Sequence, residues 1–546
     1  MPAPASACGG FFCDSSQPVN QSAERIIFTH DDAGVVTAII QIQYSGPADQ
    51  FAWVLPVAGS PTVGVSSNLA FQRLQAATNP QYILTTRIEG SCNDGVGRFF
   101  GAGSPTFDAA ASDASAGPPV TVVDQGSVGP YDYVVISLDP SAVPLSQTAI
   151  DWLTINGYDI DAAGSALLEP YLAGGMNLLA FRLTKGNDAG SIRPVTITFG
   201  AGLASIPIRP TAVAAVADMG VLVWVLGEHR AVPVNYMSLE LNEALINWLS
   251  PGSNYNDVVN AAADQAGGQG FVTEMAGDAR PLADTIFPSF ERDGWERIRT
   301  SGWAGRESQL VMAVLGQFGG YDGVRDALAA TLPLPEGVTL DQVLACFECH
   351  FGWSTADIEG FEPAAFLEAL ETHAFEPMRD VRAVFEAQPF VTRFYTTMSA
   401  AEMTRDPSFD FNATLGPVSN VHNAERVIEC SSSVSQFEAP WRVVLPSGEQ
   451  VRGTGGTWPF AAGTTSMPAN ARVRRVGTEG EGEVLVDNAA MIRTALTEHN
   501  AQVPGPPLDL PATPILRCSA GWAASGAAPA WGLLAVGLVA LRRRRR

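Results

Sequence analysis

From residue 24 to about residue 230 the hydrophobic positions recur mostly with a period of two. Val36, Ala38, Ile40, Ile42 and Tyr44 share one face of a strand, and Phe51, Trp53 and Leu55 alternate with their neighbours. Val195, Ile197 and Phe199 are separated by Thr196 and Thr198, and residues 131–138, 176–184 and 221–226 also read as strands bounded by Gly, Pro and Asp. One helix interrupts this run. Ser146 is placed to cap it, Ile150 and Leu153 face inward, and Asn156-Gly157 stops it. A second helix is predicted over residues 238–249, and residues 103–120, rich in Ala, Ser, Gly, Pro and Asp, read as an exposed loop.

Beyond residue 280 the period lengthens. Phe366, Leu370 and His373 stand at i, i+4 and i+7, and Val381, Val384 and Phe385 mark another apolar helix face. Residues 441–445 and 450–453 flank Pro446-Ser447-Gly448-Glu449, the pattern of a hairpin. These periods predict an α+β protein: a β-rich region over residues 8–280, a helical segment over 281–403, and a small α+β region over 404–504. A Pro-rich stalk at 505–517 then leads to a terminal transmembrane helix within 518–546.

Composition narrows the partners. A chain of 546 residues suggests roughly two to four domains. It is 46 % hydrophobic and 16 % charged, with 53 Gly and 38 Pro, which fits a loop-rich globular protein better than a disordered one. The formal net charge of -24 argues against a nucleic-acid or anionic-membrane partner for the main body, since both need a basic patch.

The C-terminus carries the plainest motif. Cys518 is followed by an uncharged run from Ala523 to Leu541 and then by Arg542 to Arg546. At about 1.5 Å per residue the run crosses most of a hydrocarbon core, and the arginines hold their end in the cytoplasm. Cysteine, short apolar helix and arginine cluster together resemble the Myxo-CTERM sorting signal of myxobacterial surface proteins. The resemblance implies cleavage near Cys518 by a sortase-like protease in the membrane, and transfer of the trimmed chain to the cell surface. A permanent single-pass anchor is the alternative. At the other end, Ala5-Ser6-Ala7 is an A-x-A cleavage pattern directly before Cys8, so residues 1–7 read as the remnant of a signal peptide.

A second resemblance spans much of the chain from Cys8. Ala7-Cys8-Gly9-Gly10-Phe11-Phe12-Cys13, Phe51-Ala52-Trp53-Val54-Leu55-Pro56-Val57, Gly129-Pro130-Tyr131-Asp132 and Asn156-Gly157-Tyr158 resemble the DUF2330 family of exported bacterial proteins. That resemblance implies export and a shared fold, and no activity or functional residue.

Candidate chemistry is sparse. Seven cysteines are present. In an exported chain Cys8, Cys13, Cys92, Cys346, Cys349 and Cys430 are free to form disulfides, with a local Cys346–Cys349 bond and a bond involving Cys8 or Cys13 the ones that spacing favours. Cys346-Phe347-Glu348-Cys349-His350 is also C-x-x-C-H, the pattern of c-type haem attachment, with His350 as proximal ligand and Met398 or Met403 as distal ligand. A zinc site at Cys346, Cys349 and His350 lacks a fourth ligand. Asp406, Asp410 and Asn412 offer oxygens for calcium without the EF-hand spacing, and His30-Asp31-Asp32 suits a turn better than a cation. His373 reads as a core or boundary residue, and Gly453-Thr454-Gly455-Gly456 as a flexible turn. H-E-x-x-H and G-x-S-x-G do not occur. The expectation is therefore a surface-anchored extracytoplasmic protein with a binding or envelope role and no catalytic residue or obligatory cofactor. A haem c redox protein, and a secreted hydrolase whose site is assembled from distant residues, are the alternatives.

Overall fold

In the computed structural model the described residues are 20–31, 33–45, 52–92, 120–141, 144–158, 165–184, 192–213, 215–351 and 358–505. Residues 1–7, Cys8, Cys13, Asp32, most of the 103–120 loop, all but Gly505 of the stalk, and the 518–546 signal with Cys518 lie outside them. Among the described residues no helix is long and apolar enough to cross a membrane.

The fold is α+β, organised by one large sheet. Its strands run in the order β21 (Glu483–Asp487), β20 (Asn470–Arg475), β13 (Met237–Leu241), β14 (Gly270–Asp278), β15 (Phe390–Met398), β11 (Ala215–Gly227), β1 (Asn20–His30), β2 (Val35–Ser45), β9 (Val195–Ala201) and β4 (Thr62–Val65). A four-stranded sheet orders β3 (Ala52–Val57), β8 (Asn177–Leu183), β7 (Tyr131–Ser137) and β6 (Thr121–Val128). A second orders β19 (Gln450–Thr454), β18 (Pro440–Val444), β17 (Val421–Glu429) and β5 (Gln81–Glu89), and a small one orders β10 (Ala204–Ser205), β16 (Ser408–Asn412) and β12 (Arg230–Pro233).

The large sheet is covered on both faces, and its central strand shows why. In β11, Leu222, Trp224 and Leu226 enter one core while Val221, Val223 and Val225 enter the other. A strand buried on both sides reads as a continuous apolar run. The first face carries helices: α1 (Asn68–Thr78), and the series α6 (Arg280–Ile286), α7 (Ser289–Thr300), α8 (Glu307–Phe318), α9 (Asp322–Thr331), α10 (Leu340–Ala345), α11 (Phe347–Phe351), α12 (Pro363–Leu370) and α13 (Glu376–Ala387). Phe366, Leu370, Val381 and Phe385 are fully buried there, on the faces their spacing predicts. The carboxylate of Asp322 accepts hydrogen bonds from the Ser67 hydroxyl and the Asn68 and Leu69 amides, so α9 caps the positive end of α1. The second face is covered by the β3–β8–β7–β6 sheet, whose far side packs on α2 (Leu145–Ile155) and α3 (Ser165–Ala173), and by β10, β16 and β12. A third core gathers α5 (Tyr255–Gln265), α14 (Ala489–Gln502) and the β17–β18 pair around Trp248, Trp441 and Trp458.

Several expectations change. The stretch 281–403 is not helical throughout, because β15 lies between β14 and β11 in the middle of the sheet. The helices are an excursion between two paired strands: Asp278 stands opposite Phe390, and the Ala279 amide donates to the Pro389 carbonyl. Strands from 404–504 join three different sheets rather than one of their own. Residues 238–249 form β13 and a short 3-10 turn over Glu243–Leu245 instead of a helix, since Leu239 packs in the core while its backbone pairs with Val272 and Val473. Ser146 lies inside α2, and its amide is satisfied by Glu169 of α3, not by its own cap. Asn156 does end that helix, with Gly157 at φ 83°. Strand β3 is buried at every position, because its two faces meet two different cores. The hairpin around Pro446-Ser447-Gly448-Glu449 forms, with Val444 opposite Gln450. Gly453 belongs to its second strand: a Cβ there would come 2.3 Å from the Trp441 ring, so the glycine makes room for the indole.

Candidate functional site

Strand β1 places one charged residue in phase with its apolar face. Glu24, Ile26 and Phe28 point to the side of the sheet covered by β3, while Ile27 points to the helical side. Alternation alone puts Glu24 inward. A register shift between Gln21 and Ala23, present against both neighbouring strands, lies just before it, and such bulges set where a strand's side chains aim. Glu24 sits opposite Ile42 on β2 and Val221 on β11.

There Glu24 is 5 % exposed, and its Oε2 is buried without a hydrogen-bond partner. Burial pushes its carboxyl up to about 7. Buried polar groups are almost always satisfied, and leaving one unsatisfied costs roughly 1–3 kcal/mol or more for a charged group.

The carboxyl lines a cavity of about 270 Å³. Its walls are Ile26, Phe28, Ala38, Ile40, Ile197 and Phe199 from the large sheet, Leu55, Pro56 and Val57 from β3, and Tyr171, Met176 and Ile206. Ala58, Gly202 and Leu203 also line it and are exposed, so the cavity opens at the ends of β3 and β9. A mostly apolar hollow with a few convergent polar groups is the usual form of a small-molecule site. The second carboxyl in the lining is Asp406. It accepts from the Tyr171 hydroxyl at 2.6 and 2.8 Å and from the Arg209 amide at 3.2 Å. Burial raises its pKa while these bonds and the Arg209 charge oppose the shift. The Arg209 guanidinium stands 5.7 Å from the centre of the Tyr171 ring. Asp406 is thus held by the protein, and Glu24 is not.

The residues singled out by sequence fall elsewhere. Cys346 and Cys349 are bonded to each other, with Cα atoms 5.3 Å apart, at the junction of α10 and α11. Neither thiol is then free for a thioether. Met398 and Met403 are buried in the core on the opposite face of the large sheet from Phe347, so the structure does not bring them to His350. Cys92 and Cys430 form a second disulfide, which no spacing rule pointed to. It follows directly on the parallel pairing of β5 with β17, where Glu89 stands opposite Glu429. Asp406, Asp410 and Asn412 do not converge. Asn412 donates to the Gly477 and Gly480 carbonyls, and Asp410 accepts from the Phe411 amide. Among the described residues no three His, Cys, Asp or Glu side chains are grouped to hold a metal ion. Asp31 accepts from the Ala33 and Val35 amides and builds the β1–β2 turn, while His30 reaches the Gly202 carbonyl. His422 pairs with Glu243 at 2.7 Å and stacks on Tyr82, and His373 is half-buried.

A family model described as an uncharacterized protein conserved in bacteria (DUF2330) matches residues 2–286. The chain belongs to the DUF2330 family. No curated protein and no solved structure matches it. The DUF2330 match takes in every cavity-lining residue except Asp406. Leu55-Pro56-Val57, from one of the stretches that carry the resemblance, forms part of the wall. Tyr131, from another, has its hydroxyl donating to the Arg193 carbonyl at 2.6 Å and accepting from the Arg193 amide at 2.8 Å. Glu24 and its cavity were missed by motif reading. The available sign was a lone glutamate in register with Ile26 and Phe28 on one face of the strand.

Proposed function

We propose that this DUF2330 protein is an exported, surface-anchored binding protein that holds a small, largely apolar molecule in the cavity beneath β1, β2 and β9. The observation that carries the binding role is the unpartnered Glu24 carboxyl in an apolar hollow that opens to solvent. A protein with no ligand for that site bears the cost of the buried acid with no return. Export is supported by the Cys518 signal and its arginine cluster, and by the two disulfides, since such bonds persist in oxidising compartments. The partners of the anchoring step are the membrane and a sortase-like protease acting near Cys518.

Two measurements test the parts separately. Native mass spectrometry of the full chain, purified without apolar additives, should find a small molecule bound to the wild type and absent from Ala38→Phe, whose ring fills the cavity. Equal occupancy in the two would remove the cavity as the site. Mass analysis of the chain isolated from its producing cells should show an end near Cys518. A mass that still includes Arg542–Arg546 would return the tail to a permanent membrane anchor.

A further inference from the structure

The two carboxyls of the cavity carry a charge preference. Among its described lining residues there is no Lys, Arg or His, while Glu24 and Asp406 are both acids. Asp406 already has Tyr171 and the Arg209 amide as donors, which leaves Glu24 as the group with unused acceptor capacity. An ionised carboxyl out of water is stabilised by an opposite charge that brings its own N–H donors. From these observations we infer that the cavity selects an organic cation, a primary amine on a compact apolar body, with the Glu24 carboxylate as its counter-ion. The inference rests on the binding role proposed above.

Each competing ligand class lacks something this site would have to supply. A fatty or aromatic carboxylate would bring a third acid among two and find no basic group among the described lining residues. A sugar would set many hydroxyls against Phe28, Ile40, Leu55 and Ile197, where no donors or acceptors meet them, and burying such groups unpaired is costly. Calcium or magnesium takes six or more ligands and zinc four, and no group of three metal-binding side chains exists among the described residues. A neutral apolar molecule fits the walls but leaves Glu24 as it was. The size of the body follows from the volume. A dry cavity of about 150 Å³ holds benzene, so 270 Å³ accommodates roughly nine to eleven non-hydrogen atoms on the same scale. An aryl-alkylamine has that size and the required head. The formal charge of -24 adds a long-range pull on cations towards the protein as a whole.

The test uses three probes with the same phenyl body on the full chain at pH 8: 2-phenylethylamine, 2-phenylethanol and phenylacetate, titrated by calorimetry. In the wild type the amine should bind at least about ten-fold more tightly than the alcohol, the scale of one desolvated charge pair, with phenylacetate weakest. In Glu24→Gln, which keeps the shape and removes the charge, the amine should fall to the level of the alcohol. A conserved preference for the amine in Glu24→Gln would overturn the assignment to Glu24. Equal affinity of amine and alcohol in the wild type, with both blocked by Ala38→Phe, would overturn the cation and leave the cavity as a binding site. If none of the three probes binds, the inference falls, and the binding role stands or falls on the native mass comparison of the wild type with Ala38→Phe.

Discussion

Two glutamates are buried in the same large sheet, and their surroundings could hardly differ more. Glu274 on β14 is 3 % exposed, and both of its oxygens are engaged, one by the Arg393 guanidinium and the other by the Tyr255 hydroxyl. Four of the five Arg393 N–H donors are engaged in turn. The side chain donates to Thr78 Oγ1 and Asn79 Oδ1 at 2.8 Å and to the Gln75 carbonyl at 3.3 Å, and its guanidinium carbon lies 5.5 Å from the Trp224 ring centre. Trp224 Nε1–H closes the circuit on Thr78. This network joins α1, β14, β15 and α5 and ties the Glu274 charge to the protein itself. Glu24, three strands away, has none of it. A buried ion pair with both carboxylate oxygens engaged is architecture, whereas a buried acid left open beside a cavity is a place where something is expected to bind.

That contrast can be broken most forcefully from the satisfied side. Arg393→Ala would leave Glu274 buried with no cation, and should lower the unfolding free energy by about 3–5 kcal/mol in urea titrations at pH 7. A loss below about 1 kcal/mol would mean that the network is not a structural bolt and would erase the distinction between the two acids. Next in size is the covalent tie between the family-matched stretch and the C-terminal strands. Replacing Cys92 and Cys430 together by serine should cost about 2–4 kcal/mol, with the loop of 338 residues favouring the upper end.

Glu24 should behave in the opposite sense. Its carboxyl is raised from 4.5 to about 7 in the folded chain, so the folded state keeps a proton that the unfolded state has already lost. The group's contribution is therefore most favourable below about pH 4.5, weakens as pH rises through about 7, and is level above that. Glu24→Gln removes this slope. The ligand-free variant should gain about 3 kcal/mol over the wild type between pH 4.5 and pH 8, the product of the shift and 1.36 kcal/mol per unit. The gain appears as a difference between two pH series of urea titrations. A flat difference would show that Glu24 has partners after all. Smallest of all should be His350→Ala. His350 is exposed and its neighbouring cysteines are bonded to each other, so a change within about 0.5 kcal/mol in thermal unfolding is expected.

Much of the element content was legible in the chain. Strands β2, β7, β8, β9 and β11 announce themselves by period or by continuous apolar runs, and Asn156-Gly157 marks the end of α2 as written. The Cys346–Cys349 pair is local, so spacing alone favoured it. What the sequence could not reveal is long-range by nature. Strand β15 contains an arginine and four residues of Thr and Val among its nine, and lies at the end of a helical stretch. It is a central strand only because β14 and β11 flank it. Cys92 and Cys430 are 338 residues apart and meet only because β5 pairs in parallel with β17.

By itself the sequence determined the periods, the turns and the two terminal motifs, because these depend on neighbours within a few positions. It also set Glu24 in step with Ile26 and Phe28. Whether that step led to solvent or to a core was decided only by the tertiary structure, which laid β3 over β1, brought Tyr171 of α3 to the edge, and left a hollow at the one acid on that strand face. The same glutamate on a sheet face open to water would be an ordinary solvated charge. Burial without a partner depends on what packs across the sheet, and no local pattern encodes it.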